Sequence, residues 1–225
     1  IDSILSALSS KNIKGVIATI PDISSYPYFN LIPYNGANLT LNQADSLNDV
    51  VESAGPDWTH INFVKGDNGF VFQDTSYVAG YAQMEEGEKL LFSTPLDSIK
   101  CYLWGLMARI IPDIHSLDQY ELEIIENAII DYNNYITDKA GEHGFALADI
   151  NAYFKEVEGG VLWKGVNYDL KFVSGSFISL DGFHPTGKGY AMIANQFIEA
   201  INDKYDASVP TTMCPDCRGT EFPKE

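Results

Sequence analysis

The sequence predicts an α/β fold, because a helix followed by a short buried strand occurs twice along the chain. Residues 2–14 have helical periodicity and lead into the apolar, β-branched run "GVIATIPD" at residues 15–22. Residues 118–140 have the clearest helical pattern and lead into "FALADI" at residues 145–150. A helix followed by such a strand is half of the β-α-β unit that builds parallel sheets.

The first of these helix-strand pairs leads into an aromatic loop. Four apolar residues share one face of the predicted helix: Ile4, Leu5, Leu8 and Ile13. The strand ends at Pro21, and "SSYPYFNLIPYNGAN" follows at residues 24–38. Loops after the carboxyl ends of parallel strands are where α/β proteins build their sites. Tyr26, Tyr28 and Phe29 are therefore candidate substrate-binding residues, with packing of the loop on itself as an equal alternative.

The second predicted helix, residues 41–54, has start and stop signals. Thr40 is a candidate N-cap with Gln43 as its capping-box partner, and Gly55 suits the helix end. The predicted apolar face contains Leu41, Ala44, Leu47, Val50 and Val51. Further on, "GDNG" at residues 66–69 separates two alternating runs, which predicts a hairpin or short strands.

The C-terminal half continues with helices and strands. In the helix over 118–140, Asp118 can cap the first turn and Glu121 can bond back to it. Its predicted apolar face contains Leu122, Ile125, Ile129, Tyr132 and Ile136. Residues 159–180 are predicted to be β-rich with turns at Gly165 and Gly175, and a last helix is predicted over 188–202.

Only two convincing parallel strands result from these patterns, whereas doubly wound sheets usually have about four to six. We therefore expect residues 1–207 to be the C-terminal part of a single domain whose first strands precede Ile1. Residues 208–225 are predicted to be a tail that contains Pro and Cys.

The composition is that of a globular protein with an acidic surface. The 225 residues are 45% hydrophobic and 20% charged, and 14 basic against 31 acidic residues give a net charge of −17. An acidic surface repels nucleic-acid phosphates, so nucleic acid is excluded as a partner and neutral substrates such as esters or glycans are favoured.

The cysteines and histidines do not predict a metal site. Cys101, Cys214 and Cys217 make no disulfide framework, and "CPDC" in the tail is only half a zinc site. We interpret Cys214 and Cys217 as a tail disulfide or two free thiols. No H-x-x-x-H or H-E-x-x-H spacing occurs, and we expect no cofactor.

The stretch "SLDGFHPTGKGY" at residues 179–190 carries the strongest chemical signal. Pro185 disfavours a helical backbone at His184, which keeps the histidine in an extended segment before the last helix. Asp181 lies three residues earlier, across Gly182, so its carboxylate can accept a hydrogen bond from one imidazole nitrogen. The other nitrogen is then a candidate general base, because the aspartate fixes the tautomer and stabilises the imidazolium. The alternative for these residues alone is a surface turn with an incidental histidine.

This block resembles the SGNH hydrolases, also called GDSL-type esterases and lipases. "LDGFHPTGKGYAMIANQFIEAIN" at residues 180–202 is similar to the family's last block, in which an Asp-x-x-His pair precedes the final helix. "KGVIATIPDISSYPYF" at residues 14–29 resembles the strand and loop after the third block. Residues 160–186 resemble a branch found in extracytoplasmic lipoproteins of Bacteroidota-type bacteria.

The resemblance covers most of residues 1–205 and implies a flavodoxin-like three-layer α/β/α fold. It also implies an extracytoplasmic location, in the periplasm or on the cell surface of a Gram-negative bacterium. In the family's terms, His184 is the base and Asp181 its orienting acid.

The family further implies a nucleophile that this sequence does not match. A Ser in a Gly-Asp-Ser block, with a Gly and an Asn from later blocks, would supply the nucleophile and the oxyanion hole. Ser46 in "ADSLND" mimics the first block, but it falls inside the predicted helix 41–54 and not at a strand-to-helix turn. "GDN" at residues 66–68 fits a hairpin better than an oxyanion block. We therefore expect the nucleophile and the oxyanion donors upstream of Ile1.

The predicted function is hydrolysis of carboxylic esters by a Ser-His-Asp triad, with this chain alone inactive. The predicted substrate is a small-molecule ester or an acylated glycan or lipid, and the predicted partner is the protein's own upstream segment. The alternative is a non-catalytic surface module that keeps the fold and binds glycan or protein. Acyl and alcohol specificity and the oligomeric state stay open at this point, since specificity in such folds lies in loops.

Overall fold

The structure is a computed structural model that describes residues 1–212. Within these residues the chain forms seven helices: α1 (Asp2–Ser9), α2 (Pro27–Asn30), α3 (Leu41–Ala54), α4 (Leu96–Tyr102), α5 (Gln119–His143), α6 (Ile150–Gly159) and α7 (Gly187–Tyr205). It also forms ten short strands: β1 (Val16–Ala18), β2 (Ala37–Leu39), β3 (Gly66–Asn68), β4 (Val71–Gln73), β5 (Tyr81–Gln83), β6 (Lys89–Leu90), β7 (Ser116–Leu117), β8 (Ala146–Ala148), β9 (Val161–Trp163) and β10 (Val166–Tyr168). The tail cysteines Cys214 and Cys217 lie outside the described residues.

The mixture of helices and strands confirms the predicted α/β class. The chain divides into two compact units. Unit 1 contains Ile1–Pro27 and the chain from Ile124 onward, and unit 2 contains Tyr28–Glu123. The predicted domain boundary at residue 207 stays a prediction. No helix in residues 1–212 combines the length and the apolar character needed to cross a membrane.

Unit 1 is built on a parallel pair of strands. β1 pairs with β8 in the register Val16 to Ala146, which confirms both strands of the sequence prediction. Helix α7 packs on both strands and also contacts α6. The Tyr205 hydroxyl, in the last turn of α7, donates to Gly15 O at 2.7 Å and accepts from Gly15 N at 3.1 Å and Ala146 N at 3.3 Å. The Tyr205 hydroxyl therefore connects the starts of both strands to the end of the last helix by hydrogen bonds.

The predicted helix caps are confirmed. Thr40 and Gln43 form a reciprocal capping box at the start of α3. At the start of α5, Glu121 N donates to Asp118 Oδ1 at 2.7 Å and Asp118 N donates to Glu121 Oε2 at 3.2 Å. Each pair satisfies backbone groups that have no partner within the helix.

The predicted apolar faces are wider than the buried ones. In α1, Leu5 is buried while Ile4 is 64% exposed. In α3, Val51 is buried while Leu41 and Val50 are exposed. In α5, Ile136 is buried and Tyr132 is exposed. A helix packed on one side buries a narrow stripe, so residues at the edge of an apolar face stay accessible to solvent.

The short strands predicted near "GDNG" are confirmed, but the hairpin is wrong. β3 pairs antiparallel with β2, and β4 pairs with β5. The buried Asn68 side chain bonds Val64 N, Val64 O and Gly66 O, each at 2.8 Å, so it stabilises the turn before β3. Gly69 then passes against the Met84 carbonyl so closely that a Cβ would clash with it.

Helices α2, α4 and α6 were not predicted, and α2 lies within the segment predicted to be an aromatic loop. α6 begins at the N-cap Asp149 and buries Ile150, Tyr153, Phe154 and Val157, which is a helical pattern. The β-rich prediction for the next segment is confirmed by the antiparallel pair β9–β10. Its turn has positive φ at Lys164 (52°) and Gly165 (81°), as tight hairpins require.

The Phe177 side chain supports the end of unit 1 from which the 179–184 turn starts. It is fully buried and lies edge-on to Phe154, with ring centroids 5.3 Å apart. We expect Phe177→Ala to lower the free energy of unfolding by about 3–5 kcal/mol, because it leaves a cavity in a packed core. Urea denaturation measures this. Leu162→Ala, at a residue 74% exposed, is the control and should change stability by less than about 0.5 kcal/mol. Equal losses in both variants would contradict this account of the core.

Candidate active site

Asp181 and His184 lie in a tight turn that connects the end of a buried segment to α7. Ile178 and Pro185 pair across the base of the turn. Above that pair, Ser179 N donates to His184 O at 2.7 Å. The turn itself needs Gly182, whose φ is 74°, and Gly182 N donates to Ser179 O at 3.0 Å. The backbone thus brings positions 181 and 184 to the same side of one loop.

Thr186 anchors the base of this turn to the start of α7. Its amide donates to Phe177 O and its hydroxyl donates to Ser176 O, both at 2.8 Å. The same hydroxyl accepts from Gly189 N at 3.1 Å, which makes Thr186 the N-cap of α7. A Cβ at residue 189 would meet Phe177 O at 2.5 Å, so this close approach requires glycine.

The structure brings the predicted base and acid together. His184 Nδ1 lies 2.7 Å from Asp181 Oδ2. The His184 side chain is 66% exposed and the Asp181 side chain 49% exposed. Among residues 1–212, Nε2 of His184 has no hydrogen-bond partner. The arrangement leaves one imidazole nitrogen oriented by a carboxylate and the other accessible.

Hydrogen bonds keep Asp181 ionised. Burial on its own would raise the pKa of this carboxyl, but hydrogen bonds from the Ser179 hydroxyl, the Phe183 amide and the His184 ring and amide outweigh it and hold the pKa well below its ordinary value. A carboxylate that accepts several such bonds stays anionic far into the acid range. Asp181 is therefore a permanent negative charge beside His184 near neutral pH.

Tyr26 belongs to the same unit and packs against Phe183, a residue of the turn. It is 5% exposed, and its ring stacks on Phe154 at 5.4 Å and packs against Phe183 at 5.5 Å. Phe183 in turn lies edge-on to the His184 ring at 5.4 Å. Burial, with smaller contributions from Asp22 and Tyr190, raises the pKa of Tyr26, so its phenol stays neutral.

Tyr28 and Phe29 belong to unit 2. Their rings meet edge to face at 5.1 Å, and Tyr28 also packs edge-on to Phe92 at 6.4 Å. In unit 1, Tyr26 packs against Phe183, the residue that precedes His184. Substrate binding by Tyr26, Tyr28 and Phe29 stays a prediction.

A comparison with family models identifies the group to which this sequence and this turn belong. The model of the GDSL-like lipase/acylhydrolase family matches residues 11–197, a range that includes Asp181 and His184. The chain belongs to the GDSL-like lipase/acylhydrolase family. This membership confirms the SGNH-type α/β fold and makes the general class of chemistry ester hydrolysis. Searches of curated proteins and of solved structures found no significant match. The Bacteroidota-type branch and the extracytoplasmic location stay predictions.

In the part of the chain that the structure describes, no serine hydroxyl is hydrogen-bonded to Nε2 of His184. Ser46 lies within α3 and donates to Asn42 O at 2.8 Å, as expected for a serine inside a helix. Ser179 is in the turn, but its hydroxyl donates to Asp181 Oδ1 at 2.7 Å, on the carboxylate and not on Nε2 of the base. Sequence reasoning did not find this role of Ser179. A serine two residues before an aspartate was the available signal.

The one described cluster of potential metal ligands lies outside this turn. Asp2, Glu142 and His143 bring ligand atoms within 4.8 Å of one another. Lys139 already pairs with Glu142 at 2.6 Å and with Asp2 at 3.6 Å, and His143 Nε2 bonds Asp2 at 2.9 Å. The Lys139 ammonium therefore offsets part of the charge of these two carboxylates, and we interpret the cluster as an ion pair that joins α1 to α5.

The lowered pKa of Asp181 makes its contribution to stability dependent on pH. A carboxyl whose pKa is lower in the folded than in the unfolded chain stabilises the fold above its ordinary pKa of 3.8 and loses that contribution as pH falls further. We expect the difference in unfolding free energy between the wild type and Asp181→Asn to be greatest above about pH 5 and to shrink below about pH 4. Denaturation by urea at several pH values measures this. If the difference in unfolding free energy between the two proteins grew as the pH fell, the lowered pKa of Asp181 would be contradicted.

Proposed function

We propose that this chain carries the acid–base half of a serine esterase, with His184 as general base and Asp181 as its orienting acid. The observation that supports this most directly is the 2.7 Å contact between His184 Nδ1 and Asp181 Oδ2, with Nε2 open to solvent. The Ser nucleophile and the oxyanion-hole donors are proposed to lie on a segment that precedes Ile1. That segment is then the partner that completes the site.

The chemistry follows from the two ring nitrogens. As the serine oxygen attacks the ester carbonyl carbon, Nε2 takes the hydroxyl proton, and Asp181 stabilises the imidazolium through Nδ1–H. The same proton then passes from Nε2 to the leaving alkoxide, which releases the alcohol and leaves an acyl-enzyme. Water repeats the sequence, with Nε2 again accepting and returning a proton, and frees the carboxylic acid and the serine.

The surroundings of the turn favour a neutral ester as substrate. Leu180 (47% exposed) and Phe183 (36% exposed) flank the two catalytic side chains and offer apolar surface next to the base. The net charge of −17 disfavours anionic substrates. A small-molecule ester or an acylated glycan or lipid fits both conditions.

The proposal predicts that activity needs both His184 and the upstream segment. In a longer polypeptide that includes the preceding segment, His184→Ala should lower kcat/KM for p-nitrophenyl acetate by roughly 10³-fold to 10⁶-fold, because the general base is lost. The 225-residue chain alone should hydrolyse this ester at the buffer rate. Steady-state absorbance assays measure both.

His60→Ala is the matched control, since His60 bonds Tyr81 O in unit 2 and takes no part in the proposed chemistry. Unchanged hydrolysis in His184→Ala would refute the assignment. A longer polypeptide that binds acylated glycans but hydrolyses no ester would favour a non-catalytic binding module instead.

A further inference from the structure

We propose that Ser179 is a positioning residue for Asp181: its hydroxyl fixes the carboxylate so that Oδ2 faces the His184 ring. This inference rests on the proposed function, and it adds a residue that does not touch the reacting atoms. The two carboxylate oxygens of Asp181 accept different numbers of hydrogen bonds.

Three donors converge on Oδ1 of Asp181. They are the Ser179 hydroxyl at 2.7 Å, the Phe183 amide at 2.9 Å and the His184 amide at 2.9 Å. Oδ2 is left to accept from His184 Nδ1 at 2.7 Å. A carboxylate can rotate about its last bond, and three donors on one oxygen prevent that rotation. The direction of Oδ2, and so of the imidazole, follows from the bonding of Oδ1.

Ser179 contributes the one side chain among these three donors. The two amides belong to the turn and are present whichever residues follow Gly182. The hydroxyl, by contrast, is set by the residue type at position 179. Its bond to the carboxylate is charge-assisted, which makes it stronger than a neutral hydrogen bond. Of the hydrogen bonds that lower the pKa of Asp181, the one from the Ser179 hydroxyl has the largest effect.

Hydrogen bonds hold the backbone of Ser179 in place, and this fixes the position from which its side chain extends. Ser179 N donates to His184 O at 2.7 Å, and Ser179 O accepts from Gly182 N at 3.0 Å. The residue before it, Ile178, pairs with Pro185 and is 1% exposed. Ser179 thus holds the backbone of the base with its amide and the orienting acid with its side chain. Within residues 1–212, the ionisable side chain in contact with Asp181 is that of His184.

The test measures Asp181 directly in the 225-residue chain. NMR titration of the side-chain carboxyl carbon should give a higher midpoint for Asp181 in Ser179→Ala than in the wild type, because one donor to the ionised form is lost. Ser179→Thr, which keeps the hydroxyl, should restore the wild-type midpoint. Ser174→Ala, in the exposed part of the neighbouring loop, is the matched control and should leave it unchanged. Ser179→Val, the isostere of Ser179→Thr, replaces Ser179→Ala if the alanine variant does not fold.

An unchanged Asp181 midpoint in a folded variant without the hydroxyl would overturn the proposal. So would an equal shift in Ser174→Ala, which would show a general effect of the loop. In the longer polypeptide, Ser179→Ala should lower kcat about tenfold with KM unchanged, because orientation of the base is lost but substrate contacts are kept. If that polypeptide proves inactive, the proposed esterase function fails, whereas the carboxyl titration still decides the role of Ser179.

Discussion

The geometry of the turn at residues 179–184 depends on the hydrogen bonds that Thr186 makes in three directions. Its amide and hydroxyl reach back to Phe177 O and Ser176 O, and the hydroxyl also accepts from Gly189 N in the first turn of α7. Thr186 is therefore hydrogen-bonded both to the end of a buried segment and to the start of a nineteen-residue helix. Because both sides are rigid, the short loop between them has few conformations left. Asp181 and His184 meet as a result of that restriction, before either side chain contributes any attraction.

A chain of aromatic contacts connects the turn to the core of unit 1. Phe177 lies edge-on to Phe154, Phe154 stacks on Tyr26, and Tyr26 packs against Phe183, whose ring meets His184. The buried end of this series is well packed, and its outer end is exposed. The imidazole thus has solvent on one side and a supported ring on the other. The Phe183 ring thus restricts the orientation of the imidazole while part of the His184 side chain stays accessible.

Local signals in the sequence predicted much of the fold and of the candidate site. The two parallel strands, the capping box at Thr40 and the Asp181–His184 pair each depend on residues within a few positions of one another, where propensity and spacing decide. Two of the failures involve contacts between segments that are far apart in sequence. Asn68 bonds the chain before β3, so Gly66–Asn68 pairs with β2 and not across a hairpin. The burial of Tyr26 under Phe183 likewise depends on segments far apart in sequence. Helix α6 was missed although its buried residues follow helical spacing.

The bond between Gly15 and the Tyr205 hydroxyl spans 190 residues and has a consequence for biosynthesis. On the ribosome, β1 emerges before unit 2, whereas its partner β8 and the closing tyrosine follow after unit 2. Unit 2, whose residues are contiguous, is complete long before that. The apolar strand β1 therefore has no partner while unit 2 is synthesised. Unpaired strand edges in nascent chains are sites of aggregation. Unit 1 is therefore the part of the chain that is exposed to aggregation for longer during synthesis, because its strand pair is closed only after Tyr205 has been made.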